Sequence, residues 1–273
     1  MKATRTVIEP QKNFSLRLSE LWQYRELFYF FTWRDIKVKY KQTYLGIIWA
    51  IIQPLALMLL FTLVFARHFS QLSSTVDYRI FVLSALLLWT LFYNATSHAA
   101  ESILVQSNII KKIYFPRLIV IGSALLTALF DFVIAFVVLL ICCAIFQQPI
   151  YWQGLILFPA GVLIVLLSSF GIGTLLASLN VKYRDFRYAL PFLLQFLFFS
   201  SQIVYSLGDI TEPWAKNLLS LNPVNAAIEL FRMALGIQGD ASVILIGLFT
   251  AIIITICGII YFRKTEAYFA DLV

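Results

Sequence analysis

The sequence predicts an all-α integral membrane protein: six transmembrane helices, a cytoplasmic N-terminal amphipathic interface helix, and a short extracytoplasmic helical hairpin between helices 5 and 6. Three observations carry this. Hydrophobic residues fill 61% of the 273 positions and charged residues only 13%, against ~25% charged in a soluble domain. Six segments are apolar over about 20 residues, the length that crosses a bilayer core. Lys and Arg collect at alternate ends of those segments. A soluble fold of this size would need far more polar surface, and the same composition excludes disorder.

Gly46–Phe65, Ile80–Ser97, Leu155–Leu179, Tyr188–Leu207 and Val243–Phe262 contain no Lys, Arg, Asp or Glu. Leu118–Phe146 contains one, Asp131, and is long enough to tilt or protrude. Six crossings place both termini on one side. Seventeen Lys and Arg fall on that side and four (Arg67, Arg79, Lys216, Arg232) on the other. The positive-inside rule therefore assigns the termini to the cytoplasm. Residues 1–44 read as a cytoplasmic N-terminal region and 45–273 as the membrane domain. The formal net charge of +7 follows the membrane, so nucleic acid is not an expected partner. No apolar h-region follows MKATRTVIEPQKNFS, so no cleavable signal peptide is expected. Pro54 lies inside the first span, where it removes a backbone hydrogen bond. Pro116 and Pro191 lie near the starts of the third and fifth, where proline is tolerated.

Residues 16–31 are amphipathic, with Leu21, Tyr24, Phe28 and Phe31 on one face and Ser19, Gln23 and Glu26 on the other. They read as a helix in the interface, either a plain anchor or a contact element. The loop HAAESILVQSNIIKKIYFPR carries Ile103, Leu104, Ile109 and Ile110. Its short helix either docks a partner or packs under the protein's own spans. Between spans five and six, one helix begins near Pro213. A second is announced by Asn222-Pro223, a cap followed by proline at the first helical position, and ends at Gly236. This hairpin is either a lid or a structural cap.

No catalytic constellation stands out. A G-x-x-x-x-G-K-[ST] loop for ATP phosphates is absent, as are H-E-x-x-H, C-x-x-C and G-x-S-x-G. Cys142, Cys143 and Cys257 lie in apolar runs without metal spacing, and His68 and His98 are far apart in sequence. Asp131 has no intramembrane Lys, Arg or His for company, which makes it a poor proton relay. Its alternatives are a substrate role, hydrogen bonding inside the bundle, or a wet position near an interface. Trp89, Phe92 and Tyr93 share one helical stripe, and Phe196 and Phe199 add rings in the fifth span. They read either as interfacial aromatics or as a channel lining on which sugar faces slide.

Four landmarks in order, WRDIKVKYKQTYLGIIWAIIQP, NIIKKIYFPRLIVI, LNVKYRDFRYALPFLLQ and LNPVNAAIELFRMAL, resemble the ABC-2-type permease subunits of polysaccharide exporters. That group covers O-antigen, capsule and teichoic acid systems, and the match runs over residues 20–265. The resemblance implies a homodimeric channel in the bacterial inner membrane, working with two copies of a separate ATPase that binds ATP and Mg. The chain itself is then a transport subunit, not an enzyme, with no cofactor of its own. The cargo implied is a glycan on an undecaprenyl-diphosphate carrier, O-antigen before the other classes. ATPase contacts map to Glu26, Glu101, Ile103, Leu104, Ser107 and Asn108. The outer gate maps to the hairpin, with Trp214, Asn222, Pro223 and Phe231.

Within WRDIKVKYKQTYLG, Arg34, Lys37 and Lys41 lie along one helical side at i, i+3 and i+7. Asp35 and Lys39 are spaced for an i,i+4 pair. The run anchors the first span, and the three aligned cations are further read as guides for a diphosphate headgroup or anionic lipid. Other readings are a permease for a small lipid or drug, a membrane enzyme acting on lipid-linked sugars, and a secondary transporter. The enzyme would need convergent carboxylates or histidines, and the secondary transporter ion sites and repeats; neither pattern is evident.

Overall fold

The computed structural model describes residues 22–41, 46–69, 76–183, 185–266 and 269. Among them are ten α-helices: α1 (Arg25–Lys41), α2 (Ile48–Phe69), α3 (Tyr78–Val105), α4 (Ser107–Ile110), α5 (Leu118–Ile145), α6 (Gly154–Lys182), α7 (Phe186–Ser200), α8 (Pro213–Ser220), α9 (Pro223–Ala234) and α10 (Ala241–Glu266). A single 3-10 turn, Leu207–Asp209, precedes the hairpin α8–α9. Five helices (α2, α3, α5, α6 and α10) are long and apolar enough to cross a membrane. The sixth apolar helix, α7, is shorter.

Helix ends follow local chemistry. Asp77 opens α3 by accepting the Arg79 backbone N–H at 2.9 Å, and the Arg79 guanidinium folds back onto the same carboxylate. At the end of α5, Gln147 takes the left-handed conformation (φ 55°), and the Gln148 N–H closes onto Cys143 O at 2.8 Å. Gly236 does the same after α9 (φ 95°), with the Ile237 N–H on Arg232 O at 3.0 Å.

Helix α3 is the spine. In its spanning window 78% of residues are buried, against 11% for α2. It packs on α5, α6, α2 and α9, while α6 also carries α9 and α10. Without a hydrophobic drive between helices in lipid, close approach of small residues holds such bundles. The α6 sequence supplies them: a Cβ on Gly173 would come within 2.5 Å of Ala99 Cβ, and one on Gly171 within 2.6 Å of the Thr255 backbone. Polar cross-links reinforce the seams. Asn180 Nδ2 donates to Ala100 O at 2.9 Å, and Thr255 Oγ1 to Leu167 O at 2.8 Å.

Three expectations need correction. The interface helix runs over Arg25–Lys41, so it contains the basic run that the sequence reading attached to the first span; Leu21 and Ser19 lie outside the described residues. Span five ends at Ser200 instead of Leu207. At 1.5 Å per residue its 15 residues reach about 22 Å, shorter than the five long helices. In the loop after span two, Ile103 and Leu104 belong to the end of α3, and only Ser107–Ile110 form a separate turn of helix.

The α6–α10 contact is close enough to test. A Cβ on Gly258 would meet Gly171 O at 2.2 Å. Gly258→Val is expected to cost about 1–3 kcal/mol and to lower the thermal midpoint of the detergent-solubilised chain by several degrees. Gly208→Ala, whose nearest neighbour is an ordinary 3.5 Å away, should leave the midpoint unchanged.

Candidate functional site

Helix α1 lies along α5. Phe31 is buried and meets Phe115 with ring centroids 5.6 Å apart. Phe28 covers Gly122, where an added Cβ would come within 2.7 Å of the ring. Tyr24 and Leu27 are half-buried in the same seam, and Gln23 and Glu26 are exposed. On the outer side, Arg34 donates from Nε and Nη2 to Asp35 Oδ1 at 3.0 and 2.7 Å and sits 5.1 Å from the Phe31 ring centroid. The Lys37 ammonium lies 5.2 Å from the Trp33 ring centroid. Two open grooves flank Lys37 and Lys41. One, of about 310 Å³, includes Phe30, Trp33 and Arg34; the other, of about 480 Å³, includes Trp33, Tyr40 and Phe130. An aromatic floor under an ammonium rim suits an amphipathic anion.

Lys39 turns the other way. The sequence spacing paired it with Asp35, but Asp35 is taken by Arg34, and Lys39 Nζ donates to Asp131 Oδ2. Tyr40 Oη donates to the other oxygen, Asp131 Oδ1. Burial, then the bond to Asp131, push the Tyr40 phenol well above its ordinary pKa, so it stays a donor. Asp131 is therefore not the solitary carboxylate that the sequence implied. Its partners were hidden because they lie 92 and 91 positions away on a helix outside the spans. Beside the carboxylate, Pro54 of α2 and Thr90 and Asn94 of α3 line a void of about 20 Å³, room for about one water.

The residues assigned to ATPase contact separate. Glu26 and Asn108 are exposed, Glu101, Leu104 and Ser107 are half-buried, and Ile103 is sealed in the core. Glu101 lies 3.5 Å from Arg187 Nε, a solvated pair of little weight. Val105, Ile113 and Tyr114 are the exposed apolar residues of this loop; the sequence reading passed over them because they share no helical face.

The aromatic set also divides. Trp89 and Phe92 are buried, with the Trp89 ring edge-on to Phe198 at 5.3 Å. Tyr93, Phe196 and Phe199 are exposed, as are Tyr188 and Phe192 on α7. Of the hairpin residues, Trp214 is exposed, whereas Phe231 is fully buried against Phe158, Phe136 and Phe132. Asn222 caps α9 as its sequence predicts, accepting the Val224 N–H at 3.1 Å, and donates to Ser201 Oγ at 2.9 Å.

That second bond belongs to a buried lock. Where α7 stops, Gln202 takes over: its N–H donates to Asn225 Oδ1 (2.8 Å) and its side-chain amide to Asn225 O (2.9 Å) and Glu229 Oε2 (2.8 Å). Arg232 donates to Gln202 Oε1 at 2.8 Å and to Gln202 O at 2.5 Å, with its guanidinium 3.6 Å from the Phe81 ring centroid. Burial pulls the guanidinium down to about 9, opposed by Glu229 and Asp209, and it remains charged at neutral pH. Counting Arg232 as a loop cation was thus misleading; it is an internal strut. Lys216 and Asp240, 2.5 Å apart, tie α8 to the start of α10. Arg232→Met, which takes two donors from buried Gln202, is expected to destabilise the chain by about 1–3 kcal/mol. The check is the thermal midpoint together with the rate of protease cleavage within 208–240.

The sequence between Glu26 and Leu235 matches the ABC-2 type transporter family (residues 26–235). The chain is 30% identical to the O-antigen export system permease protein RfbA of Myxococcus xanthus over 75% of its own length and 78% of the relative's. It is 25% identical to the O-antigen export system permease protein RfbA of Klebsiella pneumoniae, covering 88% of this chain and 92% of that one. The polysialic acid transport protein KpsM of Escherichia coli is 24% identical over 86% and 92% respectively. With the interface helix, the apolar helices and the hairpin all inside or adjoining the matched region, the chain belongs to the ABC-2 type transporter family.

Proposed function

We propose that the chain is the permease subunit of an ATP-driven exporter. It would carry a polysaccharide on an undecaprenyl-diphosphate lipid, an O-antigen in the first instance, across the bacterial cytoplasmic membrane. The similarity to the Myxococcus permease over three quarters of the chain carries this reading. Two copies form the channel, with both termini in the cytoplasm. Two separate ATPase subunits bind ATP and Mg and act on α1 and the 101–114 loop. The lack of a P-loop in the sequence agrees with a division of labour between chains. Similarity to the polysialic acid transport proteins supports a capsular glycan as the second reading.

In this reading Lys37 and Lys41, with Arg34 one turn back, receive the diphosphate at the cytoplasmic mouth, and Trp33 and Phe30 accept the adjoining isoprenoid. Each cation near an anionic surface contributes about 1 kcal/mol. Arg34 contributes less because its guanidinium already holds Asp35. Replacing all three by Gln, with membrane insertion verified, is expected to lower glycan export at least tenfold; unchanged export would return the run to a plain anchor. The purified chain alone should hydrolyse no ATP and acquire ATP-dependent export only with its ATPase subunit. Robust hydrolysis by the lone chain would refute the assignment.

A further inference from the structure

One carboxylate joins α1 to α5 beside a void that α2 and α3 also line. Asp131 lies midway along α5 and is 8% exposed. Its two oxygens are held by consecutive residues of α1, Lys39 and Tyr40. Consecutive helical positions point about 100° apart, so one carboxylate gripping both fixes the rotation of α1 as well as its height on α5. The seam reaches from Phe31 on Phe115 through Phe28 on Gly122 to Tyr40 near Phe130, whose rings are 6.0 Å apart. Pro54 of α2 and Asn94 of α3 border a void beside the same carboxylate. Pro54 cannot donate to the carbonyl four residues back, which makes this the softest turn of α2.

The placement is not what stability alone would select. Asp131 is buried but Lys39 is exposed, so the ion pair itself adds little stability, whereas directional bonds specify one arrangement. Apolar contacts between α1 and α5 already exist at Phe28 and Phe31. What Lys39, Tyr40 and Asp131 add is a fixed angle at the end of α1, near the proline turn of α2.

We propose that Asp131 is a positioning residue for transport: its grip on Lys39 and Tyr40 makes α1 and α5 move as one body, turning α2 about Pro54. Displacement of α1 at the basic end of the bundle then reaches two spans at once, α5 through the grip and α2 through the chain itself. This rests on the reading of the chain as an ATPase-driven permease.

The test uses the full-length chain assembled with its ATPase subunit in proteoliposomes. Export and ATP hydrolysis are measured together for wild type, Asp131→Asn, the charge-swapped pair Lys39→Asp with Asp131→Lys, and the apolar pair Lys39→Met with Asp131→Leu. The apolar pair is expected to assemble and melt like wild type yet export at least tenfold less glycan per ATP. Asp131→Asn should fall in the same direction and the swapped pair should recover most of the loss. Wild-type export per ATP in the apolar pair overturns the proposal, and so does a loss that only tracks a lowered melting temperature. A second readout needs no export. Spin labels at Val38 of α1 and Val133 of α5, both exposed, are placed in a Cys257→Ser background because Cys257 is an exposed thiol. Their distance should stay single across nucleotide states in wild type and broaden in Asp131→Asn. If that distance behaves as expected while wild type moves no glycan, the substrate reading fails and the grip stands. An unchanged, narrow distance in Asp131→Asn removes the grip.

Discussion

A peptide group in hydrocarbon has no water to bond, so each interruption of a helix must be answered from within the protein. Much of the layout follows from this. Apart from the turns that face Pro54 and Pro159, the five long helices satisfy their own backbones. Where α7 stops at Ser200, Asn225 supplies the missing partners of the Ser200 carbonyl and the Gln202 N–H, and Arg232 donates to the carbonyl of Gln202. Those side chains come from α9, so α9 has to be buried beside the break. Its almost complete burial between α3, α6 and α10 is a condition for α7 to end early.

The bundle accordingly has two kinds of helix. α3, α6, α9 and α10 are joined by small residues at contact distance and by polar cross-links at Asn180 and Thr255. α2 and α7 lean on this group with most of their surface uncovered. α1 belongs to neither kind. It is held by aromatic packing along its length and by a carboxylate at its end, a combination that keeps it attached while leaving its basic side open.

Much of the fold was legible in the amino-acid order because hydropathy records lipid contact directly. The five long spans, the Asn222 cap and the Gly236 terminator sit where their chemistry placed them. The end of α7 was not legible: Ser200, Ser201 and Gln202 are neutral on a hydropathy window, and only their partners in α9 show that the helix has stopped. Arg232 looked like a loop cation because position between two spans says nothing of burial. Lys39 seemed matched to Asp35 because local spacing cannot see Asp131, and Phe231 and Phe92 looked like gate and lining because ring content does not reveal which way a side chain points. The candidate guides Arg34, Lys37 and Lys41 fell on one helical side as the spacing implied, though in the interface helix and not in an anchor leading into the first span.

The seam behind α7 has a mechanical meaning. Leu190 and Leu194, one turn apart, are its only buried side chains; Phe186, Leu197 and Phe198 are half-buried against the core, and a polar weld to α9 follows just past its end. Its outer edge, carrying Tyr188, Phe192, Phe196 and Phe199, is uncovered, so displacing α7 would break fewer contacts than displacing α3 or α6, which are packed on several sides.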